Sequence, residues 1–591
     1  MNIELGLKQA TMQAIEALYG QEISEKQVNI NETRKEYAGD LTILVFPFTR
    51  MARKKPEQVG QEIGTFLKEN LAYIADFNVI KGFLNLEIKD SYWTQVFNDV
   101  AANKNYGQHD STGQKVVLEY VGPNTNKPLH LGHLRNMFLG HSVAAILSAY
   151  GHEVHKVNIY NDRGIAICKS MVAWKWLANK TTPETENMKG DHFVGAYYVK
   201  YDQVFRSEVA ALVAEGMERK EAEKKAPIYL AAQRMLVAWE AGDKEVIELW
   251  KMMNNWVYAG IQKTYDKVGV TFEKDYCESE YYLRGKEMAD AGLKDGIAYK
   301  KDDGSVWIDL EKEKLDQKLL LRKDGTSVYI TQDLAVAEQR FQDFDMDKSI
   351  YVVGKEQEYH FKVLQATLKR FGKSYAAGIY HLSYGMVDLP EGKMKSREGT
   401  VVDADDLIQN MIDTAEQHTS ELGKTEGFSP EEAKHLYEII GLGALKYFIL
   451  KVNAKKRMLF NPKESIDFLG HTGPFIQYSY ARIQSILRKF EGNYEQVFET
   501  EKLEAWEKQL IIMQYNFKTA IADSAKAHDP AVIANYAYFL AKTYNKFYAE
   551  LPILNNEEEK INAFRVALSA KTAQILHTAM NLLGINVPER M

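Results

Sequence analysis

The first hundred residues combine helical and strand-like hydrophobic patterns. Apolar residues recur at helical spacing over residues 5–20 and again over 56–71. GFLNLEI (82–88) reads as a strand that follows the second helix. Residues 103–114 are polar and rich in turn formers, so we place a domain boundary there. The pattern predicts a small N-terminal α/β domain over residues 1–110.

From residue 115 the pattern changes to that of a parallel sheet. KVVLEY (115–120) is almost continuously apolar, as expected of a strand that is buried on both faces. A helix over 130–151, a strand over 153–160 and a helix over 164–178 follow it. Strand, helix and strand at this spacing form a βαβ unit, so we expect an α/β fold with a doubly wound parallel sheet.

The remaining chain predicts an interruption of this sheet and then a helical end. Residues 180–265 are rich in Glu, Lys and Ala at helical spacing, which indicates a helical insertion. The βα pattern returns at SVWIDL (305–310), SVYITQDLAVAEQRF (327–341), SIYVVG (349–354) and GIYHLSYG (378–385). From about residue 430 to the end the pattern is nearly all helical. We therefore expect a catalytic domain over 111–430 and an all-α bundle over 431–591.

Composition narrows the class of protein. The chain has 591 residues, 45% of them hydrophobic, and a formal net charge of −7, which fits a folded globular protein of several domains. No apolar run approaches the ~18 residues of a membrane span, and the N-terminus has no signal-peptide pattern. Only Cys168 and Cys277 occur, so we expect a cytoplasmic protein without disulfides. The mildly acidic charge does not exclude a nucleic-acid partner, because binding needs only a local basic face.

The segment PNTNKPLHLGH (123–133) carries the first candidate chemistry. It joins a buried strand to a helix, where ligands and phosphates bind in such sheets. His130 and His133 are three residues apart, Gly132 permits close approach of a ligand, and Lys127 adds a cation. A capped helix start or half a metal site are the alternatives, but no cysteine pair or HExxH motif supports metal.

The segment EGKMKSREGTVV (391–402) is the second candidate. Lys393, Lys395 and Arg397 lie between glycines, as in a loop that closes on polyphosphate. The alternative is a solvated surface loop.

These two segments resemble the HIGH and KMSK signatures of class I aminoacyl-tRNA synthetases, and PNTNKPLHLGHLR resembles the arginyl form. Further matches follow in the family's order: YCES (276–279), SVYITQDLA (327–335), GKEQEYHF (354–361), HTGPFIQYSYAR (471–482) and VPERM (587–591). The resemblance covers nearly the whole chain.

The resemblance implies a Rossmann-type sheet that binds ATP, brought with Mg²⁺, and no structural metal. Arginyl-adenylate would form and its arginine would pass to the 3′ end of tRNA(Arg), with tRNA needed before activation. His130 and His133 would stabilise the developing phosphate charge. The loop departs from KMSK, because Ser396 stands at the position of the second lysine. In similar family members a lysine before HIGH, here Lys127, is thought to supply that charge.

The matched motifs also imply a site for L-arginine. A guanidinium calls for carboxylates and planar acceptors. The implied residues are Asn124, Glu278, Tyr329, Asp333 and Gln357. Glu280 is a close neighbour of Glu278, and Tyr329 with Asp333 is also compatible with a simple helix start.

The helical C-terminus resembles the family's anticodon-binding bundle, and residues 1–110 its additional tRNA-contacting domain. Aromatic rings stack on unpaired bases. The residues implied to contact the anticodon are Phe475, Tyr478, Tyr544, Tyr548 and Met591. The alternative for each ring is a place in the helix core.

Some details depart from the family pattern, and other functions stay open. NIYNDRG (158–164) differs from the common GDWG segment, and His471 stands where the family usually has Asn. A cysteinyl or glutaminyl synthetase is a neighbouring reading, and a non-catalytic tRNA-binding paralogue is one of another class. Intact His130, His133 and Lys127 argue against the paralogue. We expect a monomer, since no interface stripe is evident.

Overall fold

The computed structural model describes residues 3–34, 36–388, 402–423 and 427–591. The chain forms two compact units. The first comprises Met1–Tyr106, Ile483–Phe517 and Phe539–Ile575, and the second comprises Gly107–Arg482, Lys518–Tyr538 and Leu576–Met591.

The N-terminal part of the first unit is an antiparallel sheet with helices. Its strands are β1 (Ile30–Glu32), β2 (Leu41–Leu44), β3 (Ile74–Ile80) and β4 (Phe83–Ile88), in the order β1-β2-β4-β3. Its helices are α1 (Ile3–Tyr19), α2 (Phe46–Ala52), α3 (Pro56–Asn70) and α4 (Asp90–Ala102). Helix α3 packs closely on the sheet at Gly64, where an added Cβ would stand only 2.4 Å from the ring of Phe77. The predicted helices at 5–20 and 56–71 and the strand at 82–88 are confirmed.

The second unit carries the predicted α/β fold. Its strands are β5 (Lys115–Glu119), β6 (Glu153–Tyr160), β7 (Lys274–Cys277), β8 (Ala298–Lys300), β9 (Val306–Ile308), β10 (Lys318–Leu321), β11 (Lys348–Gly354), β12 (Ile379–Tyr384), β13 (Val387–Asp388) and β14 (Met458–Leu459). The helices within its first segment, up to Leu450, are α5 (Leu131–Ala149), α6 (Ile165–Leu177), α7 (Gly190–Ala214), α8 (Arg219–Lys225), α9 (Pro227–Glu240), α10 (Lys244–Val268), α11 (Glu278–Lys294), α12 (Tyr329–Phe344), α13 (Glu358–Arg370), α14 (Ala404–Glu421) and α15 (Pro430–Leu450).

Five strands form one sheet in the order β12-β11-β5-β6-β7, and every pair is parallel. The sequence order reverses beside β5, which makes the end of β5 a topological switch point where ligands bind in such sheets. The carboxyl ends of all five strands meet at this edge. The parallel sheet and its doubly wound connections are therefore confirmed.

Helix α5 is packed against the end of β5. A Cβ on Gly140 would stand 2.3 Å from the ring of Tyr120, so only glycine allows this approach. The apolar face of α5 is buried, with Leu134, Met137 and Phe138 at most 2% exposed. This packing fixes the start of α5 at the carboxyl edge of the sheet.

The insertion and the chain end are helical, as predicted. Helices α7 to α10 form the insertion, and Gly190 lets the start of α7 approach the backbone of Trp256 in α10. The pattern at SVWIDL (305–310) contains strand β9, but β9 pairs with β8 and β10 in a small antiparallel sheet and is not part of the parallel sheet. The last helices are α16 (Pro462–Ser465), α17 (Gly473–Lys489), α18 (Ala505–Tyr515), α19 (Phe517–Ala527), α20 (Ala531–Glu550) and α21 (Glu559–Leu582).

Candidate active site

The segment after β5 begins with an unusual backbone turn. Val121 has φ +80° and Gly122 has φ +57°, and a β-branched residue in this left-handed region is strained. Two side chains hold the turn, because Asn136 Oδ1 accepts from Val121 N at 2.7 Å and Asn158 Oδ1 accepts from Gly122 N at 3.2 Å. The turn leads the chain across the sheet edge and into the start of α5.

His130 and His133 have their tautomers fixed by the backbone. His130 is the N-cap of α5, and its Nδ1 accepts from Gly132 N at 3.1 Å. His133 Nδ1 accepts from His130 N, also at 3.1 Å. A neutral imidazole that accepts at Nδ1 carries its proton on Nε2. Both rings, with centroids 3.9 Å apart, therefore present an Nε2–H donor at a helix N-terminus.

Both histidines are neutral at physiological pH. Burial, aided by the nearby Lys127 ammonium, lowers the pKa of His130 to about 4. Burial and the charges of His130 and Lys127 lower the pKa of His133 well below its usual value. The pair can donate hydrogen bonds to a phosphate without changing charge, while Lys127 supplies the positive charge. Gly132 is required here, since a Cβ would stand 2.9 Å from the His130 ring.

Lys393, Lys395 and Arg397 lie outside the described residues, but both flanks of their segment are described. Strand β13 pairs with β14, and Arg135 of α5 donates to the carbonyls of Met386, Ala454 and Lys456. After the segment, Val402 O accepts from Leu131 N at 3.2 Å. The chain on either side of the segment is thus bonded to the helix that carries the histidines.

Carboxylates gather at the ends of β6 and β7. Glu278 is the first residue of α11, and the neighbouring Ser279 donates from its N and Oγ to Asp162 at 2.9 and 2.6 Å. Burial, with the charges of Asp162 and Asp333, raises the pKa of Glu278 to about 7, against the lowering effect of Arg163. Burial also raises the pKa of Asp162. Carboxylates whose ionised form is disfavoured in this way are suited to a cationic ligand.

The structure distinguishes Glu278 from its neighbour. Glu280 is exposed, whereas Glu278 is half-buried beside the other carboxylates. Asp333, on the second turn of α12, faces the same cluster, and its Oδ2 lies 2.5 Å from His360 Nε2. The cluster therefore combines side chains that follow β6 and β7 with one from α12.

The other predicted arginine ligands lie at the same sheet edge with different exposure. Asn124 pairs as a parallel bridge with Asn161 at the end of β6 and is half-buried. Tyr329, at the start of α12, is 76% exposed. Gln357 is exposed in the turn after β11. Asn124 therefore lies beside the turn after β6, next to the carboxylates. Tyr329 and Gln357 lie at the surface.

The predicted anticodon residues differ in burial. In the second unit, Phe475 packs on Tyr538 with centroids 5.3 Å apart, and Tyr478 lies under Arg482 at 4.9 Å. Met591 is half-buried. The first unit holds the other two. Tyr548 is 43% exposed, but Tyr544 is fully buried and donates its hydroxyl proton to Ser569 Oγ at 3.1 Å. A ring without an exposed face cannot stack on a base, so we assign Tyr544 to the core.

One group in the described part of the chain has side chains spaced as metal ligands: Asp191, His192 and Asp405. An internal cation already neutralises it, because Lys189 Nζ lies 3.0 Å from Asp191 Oδ2 and 2.6 Å from Asp405 Oδ2. We therefore place no metal there.

Comparison with known proteins gives matches along the whole chain. Three family models match: the catalytic domain of class I (R) tRNA synthetases at residues 95–461, the DALR anticodon-binding domain at 476–591 and the N-terminal domain of arginyl-tRNA synthetases at 6–88. The chain belongs to the arginyl-tRNA synthetase family. ATP as a substrate follows from membership of this family.

Relatives match this synthetase over full length. The chain is 54% identical to an arginine–tRNA ligase of Amoebophilus asiaticus and 53% identical to one of Bacteroides thetaiotaomicron, covering 100% of both chains in each case. Its fold is similar to that of the arginyl-tRNA synthetase of Thermus thermophilus, with a TM-score of 0.82 at 22% identity and 100% coverage of both chains. The Plasmodium falciparum enzyme gives a TM-score of 0.78 at 18% identity, over 100% of this chain and 99% of that one. Among the described residues, no helix of this synthetase combines the length and apolar character that a membrane crossing needs.

Sequence reasoning missed two residues at the site of this synthetase, Asp162 and Arg163. Both lie directly after β6, and polar residues after a parallel strand face the ligand edge of such a sheet. That position was a usable signal in the NDRG segment.

Proposed function

We propose that this chain activates L-arginine with ATP to arginyl-adenylate, releases pyrophosphate, and transfers the arginine to the 3′ end of tRNA(Arg) with release of AMP. One observation carries the proposal: neutral histidine donors and a cluster of carboxylates meet at the carboxyl edge of one parallel sheet. A single bound molecule that is anionic at one end and cationic at the other fits this edge, and arginyl-adenylate is such a molecule.

The phosphates bind beside His130, His133 and Lys127. The Nε2–H groups of His130 and His133 stabilise charge that develops on the α-phosphate as pyrophosphate leaves. Lys127 lies close enough to affect the titration of both rings, so it stabilises the same charge. Lys393, Lys395 and Arg397 stay predicted partners of the pyrophosphate, supported by the bonding of Val402 to Leu131. No covalent enzyme intermediate is needed, because the substrate carboxylate is the nucleophile.

The carboxylate side takes the guanidinium. Glu278 and Asp333 provide charge and planar acceptor geometry, and Asn124 holds the amino-acid end of the substrate. Tyr329 and Gln357 are exposed, so we assign them to the rim of this pocket. Mg²⁺ arrives with ATP and keeps its own waters, so no protein cage is required.

Each predicted domain has its own function. Residues 1–110 contact the corner of the tRNA, residues 111–430 carry out catalysis with the insertion at about 180–265, and residues 431–591 read the anticodon. The family models at 6–88, 95–461 and 476–591 support this order. The candidates that we keep for contact with the anticodon are Phe475, Tyr478 and Met591 in the second unit and Tyr548 in the first. A monomeric state and a cytoplasmic location stay predictions, and sedimentation measures the first.

Exchange of labelled pyrophosphate into ATP, with arginine and with or without tRNA(Arg), tests the function. Exchange only with tRNA supports arginine activation on a site that the RNA completes. Exchange without tRNA supports the enzyme and refutes tRNA-dependent activation. Absence of exchange in both cases, with tRNA binding intact, would leave a non-catalytic tRNA-binding protein.

A further inference from the structure

The turn after β6, residues 161–163, contacts the segment after β5, the end of α9, and helices α10 and α11. Asn161 is bonded to the segment after β5: its N donates to Pro123 O at 2.9 Å, its Nδ2 donates to Gly122 O at 3.0 Å, and its O accepts from Thr125 N at 3.2 Å. These bonds fix the turn to the segment that carries Asn124.

Asp162 connects the same turn to two helices. Its carboxylate accepts from Ser279 at the start of α11, directly after Glu278. Its carbonyl oxygen accepts from Trp250 Nε1 at 2.6 Å and from Asn254 Nδ2 at 3.3 Å, both on α10 of the insertion. The side chain is 1% exposed, so these bonds are shielded from water.

Arg163 is held by the insertion and by α11. Its Nη2 lies 3.0 Å from Glu240 Oε1 at the end of α9, and the Arg163 side chain is only 11% exposed. The guanidinium carbon stands 4.0 Å from the ring centroid of Tyr282 and 5.4 Å from that of Trp239. A planar guanidinium packs on aromatic rings over more of its surface than a compact ammonium does.

The position of Arg163 near Glu278 follows from its contact with α11. Its guanidinium lies over the ring of Tyr282, and Glu278 stands four residues before Tyr282 on that helix, so the two residues share one face of α11. The Arg163 charge lowers the pKa of Glu278, whereas the charges of Asp162 and Asp333 raise it. The interaction requires no direct hydrogen bond, because charges a few ångströms apart act strongly in a partly buried site.

We propose that Arg163 is a positioning residue for arginine recognition. Held by Glu240, Trp239 and Tyr282, its guanidinium keeps the Glu278 carboxylate ionised and ready for the substrate. The helical insertion thereby controls the charge of the amino-acid pocket through the end of α9. This inference rests on the proposed function and adds a residue that acts on the substrate through Glu278.

The consequence is a defined pH dependence. The ionised form of Glu278 binds the guanidinium, and the pKa of Glu278 is about 7 with Arg163 present, so arginine affinity rises with pH through neutrality. Loss of the Arg163 charge raises that pKa further. A rise of about one unit would increase KM for arginine about ninefold at pH 6, about fivefold at pH 7 and about twofold at pH 8.

Other titratable groups near Glu278 are constrained. Asp162 accepts from Ser279 and from Tyr258 of α10, Asp333 lies against His360 of α13, and Glu240 of α9 is paired with Arg163. Burial raises the pKa of the Cys277 thiol to about 12 and that of the Tyr258 hydroxyl above its usual range. Those two groups therefore stay protonated between pH 6 and pH 8.5.

The test measures KM for arginine and kcat from pH 6 to pH 8.5 in the full-length protein with tRNA(Arg). The variants are Arg163→Met, Arg163→Lys and the matched control Arg206→Met, whose arginine lies on the surface of α7 and pairs with Asp202. We expect Arg163→Met to raise KM at low pH and to approach wild type above pH 8, with kcat little changed. Arg163→Lys should restore part of the loss at pH 7, and Arg206→Met should match wild type.

Two results would overturn the inference. A KM for Arg163→Met equal to that of wild type at every pH removes Arg163 from arginine recognition. An equal loss at all pH values assigns it to packing alone. If wild type itself shows no arginine-dependent exchange at any pH, the proposed function fails instead, so the two failures are distinguishable.

Discussion

Replacing His130 by asparagine separates the two roles of that side chain. His130 Nδ1 caps α5 by accepting from Gly132 N at 3.1 Å, and its Nε2–H is the group that we propose donates to phosphate. Asparagine is among the best N-cap residues, and its short side chain places no donor where Nε2 stands. The change His130→Asn should therefore keep the helix start and remove the phosphate donor.

The two roles differ in the size of the effect expected when each is lost. Losing one preorganised donor to a developing oxyanion costs ~2.7–4 kcal/mol, or about a hundred- to a thousandfold in kcat. Losing an N-cap costs ~1 kcal/mol of stability. His130→Asn should lose only the first, with the melting temperature within ~2 °C of wild type. His130→Gln extends a donor further but caps poorly, so it should be less stable and keep more activity.

Pyrophosphate exchange and thermal unfolding of the two variants measure both effects. The pH profile adds a check: with the pKa of His130 at about 4, the ring is neutral throughout pH 6–8, and its removal should leave the shape of the profile unchanged. Exchange by His130→Asn within threefold of wild type would refute the phosphate role. If the melting temperature of His130→Asn fell as far as that of His130→Gln, the capping role would be refuted.

Three further changes test other parts of the structure. Glu278→Gln keeps the shape of the side chain and removes its charge, so KM for arginine should rise about ten- to a hundredfold, and an unchanged KM would exclude Glu278 from the pocket. Arg340→Met leaves Glu119 as an unpaired, nearly buried charge and should destabilise the fold by ~3–5 kcal/mol, seen as a lower unfolding midpoint that Glu119→Gln partly restores. Tyr544→Phe should lower stability by ~1 kcal/mol and leave KM for tRNA unchanged. Tyr478→Ala should raise that KM about five- to a hundredfold, and equal effects of these two tyrosine changes would contradict their assignments.

Local pattern was sufficient for the elements of the parallel sheet. The strand predicted at 153–160 is β6 with the same bounds, and the helix predicted at 130–151 is α5 from Leu131 to Ala149. These elements are long, strongly periodic and bounded by turn residues, so neighbouring residues alone determine them. Strands β8 and β10 were missed because strands of three or four residues carry too short a pattern to recognise, and the pattern at 305–310 did not show that β9 pairs with them outside the parallel sheet.

The candidate site could be found only in part. The ordered motifs indicated His130, His133, Glu278 and Asp333, and all four lie at or beside the carboxyl edge of the sheet. The same motifs could not separate Glu278 from Glu280, because two acidic residues only two positions apart do not show which of the side chains is buried. The structure separates them through the neighbours that Asp162 and α12 bring.

The sequence by itself determined the family, the alternation of strands and helices, and the types of residue available for chemistry, because each is written in local spacing and ordered motifs. Only the tertiary structure decided the charge state and neighbours of those residues. The neutrality of His130, the burial of Tyr544 and the place of Arg163 beside Glu278 arise from side chains far apart in the chain. Desolvation and Coulomb interaction depend on distance in space, and the order of residues does not encode that distance directly.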